Sequence, residues 1–281
     1  MTRISALVLL ALLAFIPSAA AQQDPPPAAP AAGGYDPERR VVLAQPDFTL
    51  VNLPTTLRVP LFKSAFRVTH RFARPLAAGS FGDLAGDLFG LDSGAQIGLE
   101  YRFGLVPGGQ VGIHRTSNRT IEFFGQYDVL NQGDSVPLGV AALVTIDGTN
   151  NFRDQYSTGI GAVISRTFGN SAAIYVEPIF VNNSNIVLTP PGTDDDTFVL
   201  GLGARVRVRP TVYLVGEITP RVSGFEPGVN LASFAVEKRA GGHTFQLNFS
   251  TGFGTTIAQI ARGGTAGEDW YLGFNISRKF F

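Results

Sequence analysis

From residue 62 onward apolar and polar side chains alternate with a period of two, the repeat of a strand with two unlike faces. In the stretch 62–72, Phe62, Phe66, Val68 and Phe72 share one face, and Lys63, Arg67, Thr69 and Arg71 share the other. Ile97, Leu99, Tyr101 and Phe103 alternate with Gln96, Gly98, Glu100 and Arg102. Further on, Leu200, Leu202, Val206 and Val208 alternate with Gly201, Gly203, Arg205 and Arg207. Phe245, Leu247 and Phe249 alternate with Gln246, Asn248 and Ser250, and Leu272, Phe274 and Ile276 with Tyr271, Gly273, Asn275 and Ser277. There are about twelve such runs, each near the roughly 9–11 residues that a tilted membrane-crossing strand needs. They begin near Phe62, Ala95, Gln110, Thr120, Pro137, Tyr156, Ala172, Thr197, Thr211, Leu231, Thr244 and Trp270. The pattern predicts an all-β fold, a transmembrane antiparallel up-and-down β-barrel over residues 61–281.

The connections fit that topology. With both chain ends on the periplasmic side, turns there should be short and outer loops long. The inner turns at 104–109, 131–136, 169–170, 210 and 240–243 are short, whereas 73–94, 182–196 and 251–269 are the longest connections. The outer turn at 116–119 is short, so the rule holds on average. The chain stops on an amphipathic strand ending in Phe280-Phe281, which resembles the signal by which outer-membrane barrels are recognised for assembly. Phe281 has the polar parity, so either a bulge shifts the register near Arg278 or the last residue lies outside the membrane.

Ahead of the barrel, Arg3 precedes an apolar run from Ile4 to Ile16, and Ala19-Ala20-Ala21 offers a cleavage site. That layout predicts a secretory signal peptide at residues 1–21. Residues 22–60 are expected as a disordered Pro/Ala-rich periplasmic segment and lead-in, in which Tyr35 to Pro60 either leads into the barrel or folds back as a partial plug. The chain has no Cys, which excludes disulfides, thiolate catalysis and a cysteine lipid anchor. Charged residues make up only 16% of the chain and balance to zero, so nucleic acid is not an expected partner. The expected location is the bacterial cell outer membrane, with lipid, lipopolysaccharide and the barrel-assembly machinery as partners and no cofactor.

Between Phe66 and Asn131 the chain carries His70-Arg71-Phe72, Phe89-Gly90-Leu91-Asp92, Ile97-Gly98-Leu99-Glu100-Tyr101, Gly112-Ile113-His114-Arg115-Thr116-Ser117 and Gln126-Tyr127. In these pieces it resembles a family of bacterial barrel proteins classed as a domain of unknown function, number 5777. Arg102 stands where that family usually has Gly, and beyond Asn131 the likeness fades to a general barrel pattern. The resemblance implies fold and location and brings no activity.

The charges on the polar parity are the chemistry most worth following. Lys63, Arg67, Arg71, Arg102, Arg205, Arg207, Arg221, Arg239 and Lys279 are positive; Glu100, Glu122, Asp128, Glu177, Glu217 and Glu237 are negative. Facing Arg or Lys toward lipid at mid-membrane costs about 2–4 kcal/mol, so these are expected to face the lumen. Lys63, Arg67, Arg71, Glu100, Arg102, Glu122, Glu177, Arg205, Arg207 and Glu217 are the candidate lumen-lining set. Two outcomes follow: a slightly basic pathway with a mild preference for anions, or opposite charges that pair and fill a narrow lumen.

His70, His114 and His243 are scattered without metal-ligand partners, and Thr193-Asp194-Asp195-Asp196 reads as a solvated loop tip lacking EF-hand spacing. No nucleophile-elbow, zincin or Walker motif occurs, so an enzyme is not expected. Gly159-Ile160-Gly161 and Gly201-Leu202-Gly203 lie inside strands and are read as room for curvature and close packing. The leading function is passive transport through a narrow channel for small polar or anionic solutes. The alternative is a closed structural or interaction barrel that binds a partner through its outer loops or N-terminal segment.

Overall fold

In the computed structural model, twelve antiparallel strands close on themselves, each hydrogen-bonded to its sequence neighbours and the last to the first. Residues 42–133, 135–186, 195–226, 228–265 and 269–281 are described. The expected signal peptide, and residues 22–41 of the expected linker, lie outside them. The strands are β1 (Ser64–Pro75), β2 (Ala95–Val106), β3 (Gly109–Thr116), β4 (Ile121–Leu130), β5 (Gly139–Gly148) and β6 (Asp154–Phe168). They continue with β7 (Ala172–Asn182), β8 (Thr197–Arg209), β9 (Val212–Thr219, resumed after Pro220 as Arg221–Gly224), β10 (Leu231–Ala240), β11 (His243–Ser250) and β12 (Tyr271–Lys279). Pro220 has no N–H to give the ladder, which accounts for the break in β9.

Closure comes from β12 pairing with β1, Ala65 opposite Lys279 and His70 opposite Phe274 without a slip between them. The register therefore holds through Arg278. The parity mismatch of Phe281 is resolved because β12 ends at Lys279; Phe280 makes one more bond, to the Ser64 carbonyl at 2.9 Å, and Phe281 lies past the strand. Outward positions such as Leu99, Tyr101, Phe123, Ile160, Leu214 and Phe245 are exposed large apolar side chains, the band that meets lipid. Among the described residues no helix is long and apolar enough to cross a membrane.

The inward parity behaves differently on the two sides of the barrel. On β1 to β5 it carries a row of polar groups in register: Arg67 opposite Glu100, Glu100 opposite His114, His114 opposite Glu122, Glu122 opposite Asp147. On β5 to β8 it carries Ala141, Leu143, Val163, Ile179, Val181 and Val199, all buried. A water-filled pore would leave these apolar groups wet. They are instead covered, because the lumen is occupied.

Among the described residues two segments occupy it. Residues 42–60 belong to the segment expected as disordered lead-in or as a partial plug; they fold back into the interior, where Phe48, Leu50, Val51, Leu53 and Val59 are each at most 3% exposed. Thr49 bridges Pro54, and the Leu50 N–H donates to the Leu53 carbonyl at 2.8 Å, so residues 48–55 form a hairpin. Burial of its apolar side chains, at about 1.5–3 kcal/mol each, is what a disordered reading of this stretch left out. From the opposite end the β11–β12 connection turns inward, and its helix α1 (Ile257–Ala261) is buried throughout.

Candidate functional site

The wall grips the hairpin mainly by its main chain. One carboxylate, Glu217 on β9, accepts from the backbone N–H groups of Val51 at 3.0 Å, Asn52 at 3.0 Å and Leu53 at 3.1 Å. It also accepts from the Asn52 side-chain amide at 2.7 Å. Opposite it, Arg67 and Asn275 donate to the Val51 carbonyl, Arg71 to the Asn52 side-chain oxygen at 2.8 Å, Gln246 to the Leu50 carbonyl at 3.0 Å and Arg205 to the Thr49 carbonyl at 2.7 Å. Gln126 donates to the Thr55 carbonyl at 2.7 Å. The bonds made by Glu217, Arg67, Arg71 and Arg205 are charge-assisted and shielded from water, the stronger class.

Apolar packing fits the hairpin to the same wall. A Cβ at Gly203 would lie 2.1 Å from Leu50 Cδ1, and one at Gly201 would lie 3.0 Å from Leu53 Cδ1. These two strand glycines leave room for the hairpin's leucines. Phe48 sits within 5.7 Å of the Arg102 guanidinium and 5.3 Å of the Lys279 ammonium, a cation–π arrangement that ties its ring to β2 and β12.

The candidate lumen-lining residues divide into two groups. Arg67, Arg71, Glu100, Arg102, Glu122, Glu177, Arg205 and Glu217 are buried inside the barrel. Lys63 and Arg207 sit half-buried toward the strand ends, where Arg207 donates to the Pro210 carbonyl of its own turn. Arg67 and Arg102 both bond to Glu100, and Arg205 pairs with Glu237 at 3.0 Å with both side chains fully buried. Glu177 lies beside Leu53 across Gly201, and among the described residues neither of its carboxylate oxygens is hydrogen-bonded. Asp128 pairs with Arg58 at 2.7 Å, just below the hairpin. Four arginines stand against Glu100, Glu122, Asp147, Glu177, Glu217 and Glu237 on the buried wall, whereas Lys63, Arg207, Arg239 and Lys279 lie near the strand ends on the side of the short turns.

Sequence reasoning passed over the neutral half of the site. Gln246 and Asn275 were visible on the polar parity of β11 and β12, yet uncharged residues there carry no penalty that marks them as inward. Gln110, Gln126 and the acidic Asp147 were also missed, whereas the plug alternative for Tyr35 to Pro60 anticipated an occupant without its hairpin form.

The inward loop is held from the other end. The Ile257 N–H donates to Glu122 at 2.8 Å, and Thr256 Oγ1 donates to Asp147 at 2.6 Å. Arg262 donates to the Ser184 carbonyl at 2.7 Å and Ser157 Oγ at 3.2 Å. Between hairpin and loop there remains a cavity of about 20 Å3, room for about one water molecule.

The histidines separate by face. His70 stacks on Phe274 at 4.7 Å on the outer surface, His114 is buried inside, 3.9 Å from Glu122, and His243 contacts Arg278 at the inner turn. Of the outer acidic loop, Thr193 and Asp194 lie outside the described residues. Asp196 accepts from Asn182 and Asn183, both at 2.8 Å, which ties it to the end of β7.

A closed antiparallel barrel with an apolar outer band and a polar, filled interior defines a membrane β-barrel. The chain belongs to the family of membrane-bound β-barrel domains classed as domain of unknown function 5777, whose profile matches residues 47–280. The match extends well past the quarter of the chain that carries the recognisable motifs, and it includes the hairpin. Among solved structures the chain is similar to the NanC porin (TM-score 0.54, 8% identity, 76% of this chain and 100% of that one). It is also similar to the KdgM porin in complex with disordered oligogalacturonate (TM-score 0.51, 5% identity, 78% and 99%). At those identities the likeness concerns the fold. No curated protein sequence matches the chain.

Proposed function

We propose that the protein is an outer-membrane channel for small polar solutes, anionic ones included, that is closed at rest by its own N-terminal hairpin. The observation that carries this reading is what fills the lumen. The wall side chains do not close it alone; a chain segment does, held by hydrogen bonds that a hydrated solute path could replace. The hairpin runs on into β1 through residues 56–63 and supplies no strand of the barrel, so it can leave without breaking the sheet. Anion preference would come from the half-buried Lys63, Arg207 and Arg239 near the periplasmic strand ends. A porin of similar fold solved with a polyanionic oligogalacturonate supports that solute class. Residues 1–21 would serve as the cleaved export signal.

A second reading is favoured by the inward loop, which narrows the lumen independently. In that reading the barrel never conducts and serves as a structural or interaction protein. Planar-bilayer conductance separates the two. The full chain should be silent or open briefly, and the barrel lacking residues 22–60, shown folded by heat-modifiable gel mobility, should open steadily with anion preference under a salt gradient. Silence from the folded deletion variant would sink the channel reading in favour of the second.

A further inference from the structure

We infer that the long outer connection between β1 and β2 is a membrane-contacting surface, laid against the lipid side of the barrel rim with its apolar side chains in the outer leaflet. Most barrel loops present polar groups to water. This one presents Phe81, Leu88, Phe89 and Leu91, which are 68%, 58%, 36% and 57% exposed. Phe81 and Phe89 meet edge to face with ring centroids 6.4 Å apart, so part of the apolar surface is a built pair.

Position identifies what covers it. Phe72 has outward parity on β1, where its neighbours Phe66, Val68 and His70 are half-buried, yet it is only 6% exposed. A Cβ at Gly90 would lie 3.4 Å from Phe72 Cβ and 3.0 Å from Arg74 Cβ, both on that outward side. The loop thus folds over the lipid-facing edge of β1 and away from the lumen mouth. Its apolar side chains continue the apolar band already established as the lipid interface. The local backbone is shaped for this: Leu88, Phe89 and Gly90 all have positive φ, at 52°, 59° and 102°. Phe89-Gly90-Leu91 is also one of the motifs that carried the family resemblance, and neither lumen occupant uses it.

The loop's polar groups are tied to one another. Arg74, the charge that outward parity would send toward lipid, pairs with Asp87 and donates to the carbonyls of Ala78 at 2.7 Å and Asp83 at 3.3 Å. The Asp83 carboxylate accepts from the backbone N–H of Ser80 at 2.7 Å and its hydroxyl at 2.8 Å. A loop that pairs its arginine internally and turns its apolar side chains outward suits the border of an apolar medium.

The chain's single tryptophan makes the test clean. Trp270→Phe removes it, and Phe81→Trp or Leu91→Trp then places a lone reporter on the loop. The folded barrel is reconstituted in phosphatidylcholine vesicles, with or without brominated acyl chains. The expected result is blue-shifted emission, quenched at least twofold by brominated lipid and little affected by iodide. Red-shifted emission quenched by iodide and not by brominated lipid, at both positions, would overturn the inference in favour of a water-exposed tip. Emission insensitive to both quenchers, with cross-linked dimers in the same vesicles, would overturn it in favour of a second copy of the chain.

Discussion

The hairpin at 48–55 and the loop at 251–265 fill one lumen from opposite ends, and they are fastened in different ways. The hairpin is held by long wall side chains that reach from β1, β8, β9, β11 and β12 to its main chain. Among the described residues it is covalently continuous with a strand at one end only. The loop is covalently continuous with β11 and β12 at both of its ends, and it bonds outward from its own Ile257 N–H, Thr256 hydroxyl and Arg262 side chain. Withdrawing the hairpin trades protein hydrogen bonds for water, whereas withdrawing the loop must also move two strand ends. The hairpin is therefore the removable stopper and the loop a standing constriction.

That contrast can be broken in order of effect. Arg205→Ala strands the fully buried Glu237 and removes the bond to Thr49, so it should cost about 3–5 kcal/mol and lower the thermal unfolding midpoint of the folded barrel. Glu217→Ala removes the acceptor for the hairpin tip. At about 3 kcal/mol, as expected for lost charge-assisted bonds, the closed-to-open ratio should fall roughly 100-fold, read as open probability or as protease cleavage near residue 52. Gly203→Val should act in the same direction from the apolar side, because its side chain would collide with Leu50. Arg262→Ala should do least, about 1 kcal/mol: no opening of the full chain, and a modest rise in unit conductance once residues 22–60 are gone. An Arg262→Ala variant that opened the full chain would reverse the roles assigned to the two segments.

The barrel wall was legible because one face of each strand meets lipid and the other does not. Strand starts near Ala95, Ala172, Thr197 and Leu231 coincide with the structure, since each follows a loop that breaks the alternation. The inward direction of Arg67, Glu100 and Arg205 followed from the cost of a charge in lipid. What those groups face was not legible in the same way. The hairpin has no period, is interrupted by Pro46, Pro54 and Pro60, and bonds to a carboxylate more than 160 positions away. One signal did point to it. Ala141, Leu143, Val163, Ile179 and Val199 make β5 to β8 apolar on the inward parity as well, and strands apolar on both faces are buried on both.

The central claim, that the hairpin closes the lumen, is most directly tested by locking it in place. Thr56 and Ser165 have their hydroxyl oxygens 2.6 Å apart, close to the roughly 2.05 Å of a disulfide, and the chain has no other cysteine to interfere. In Thr56→Cys/Ser165→Cys, the oxidised barrel should be silent in a planar bilayer, and adding reductant to the same bilayer should restore openings like those of the unsubstituted chain, made frequent by Glu217→Ala in the same background. Equal conductance before and after reduction, with the bond verified by mass, would contradict the account.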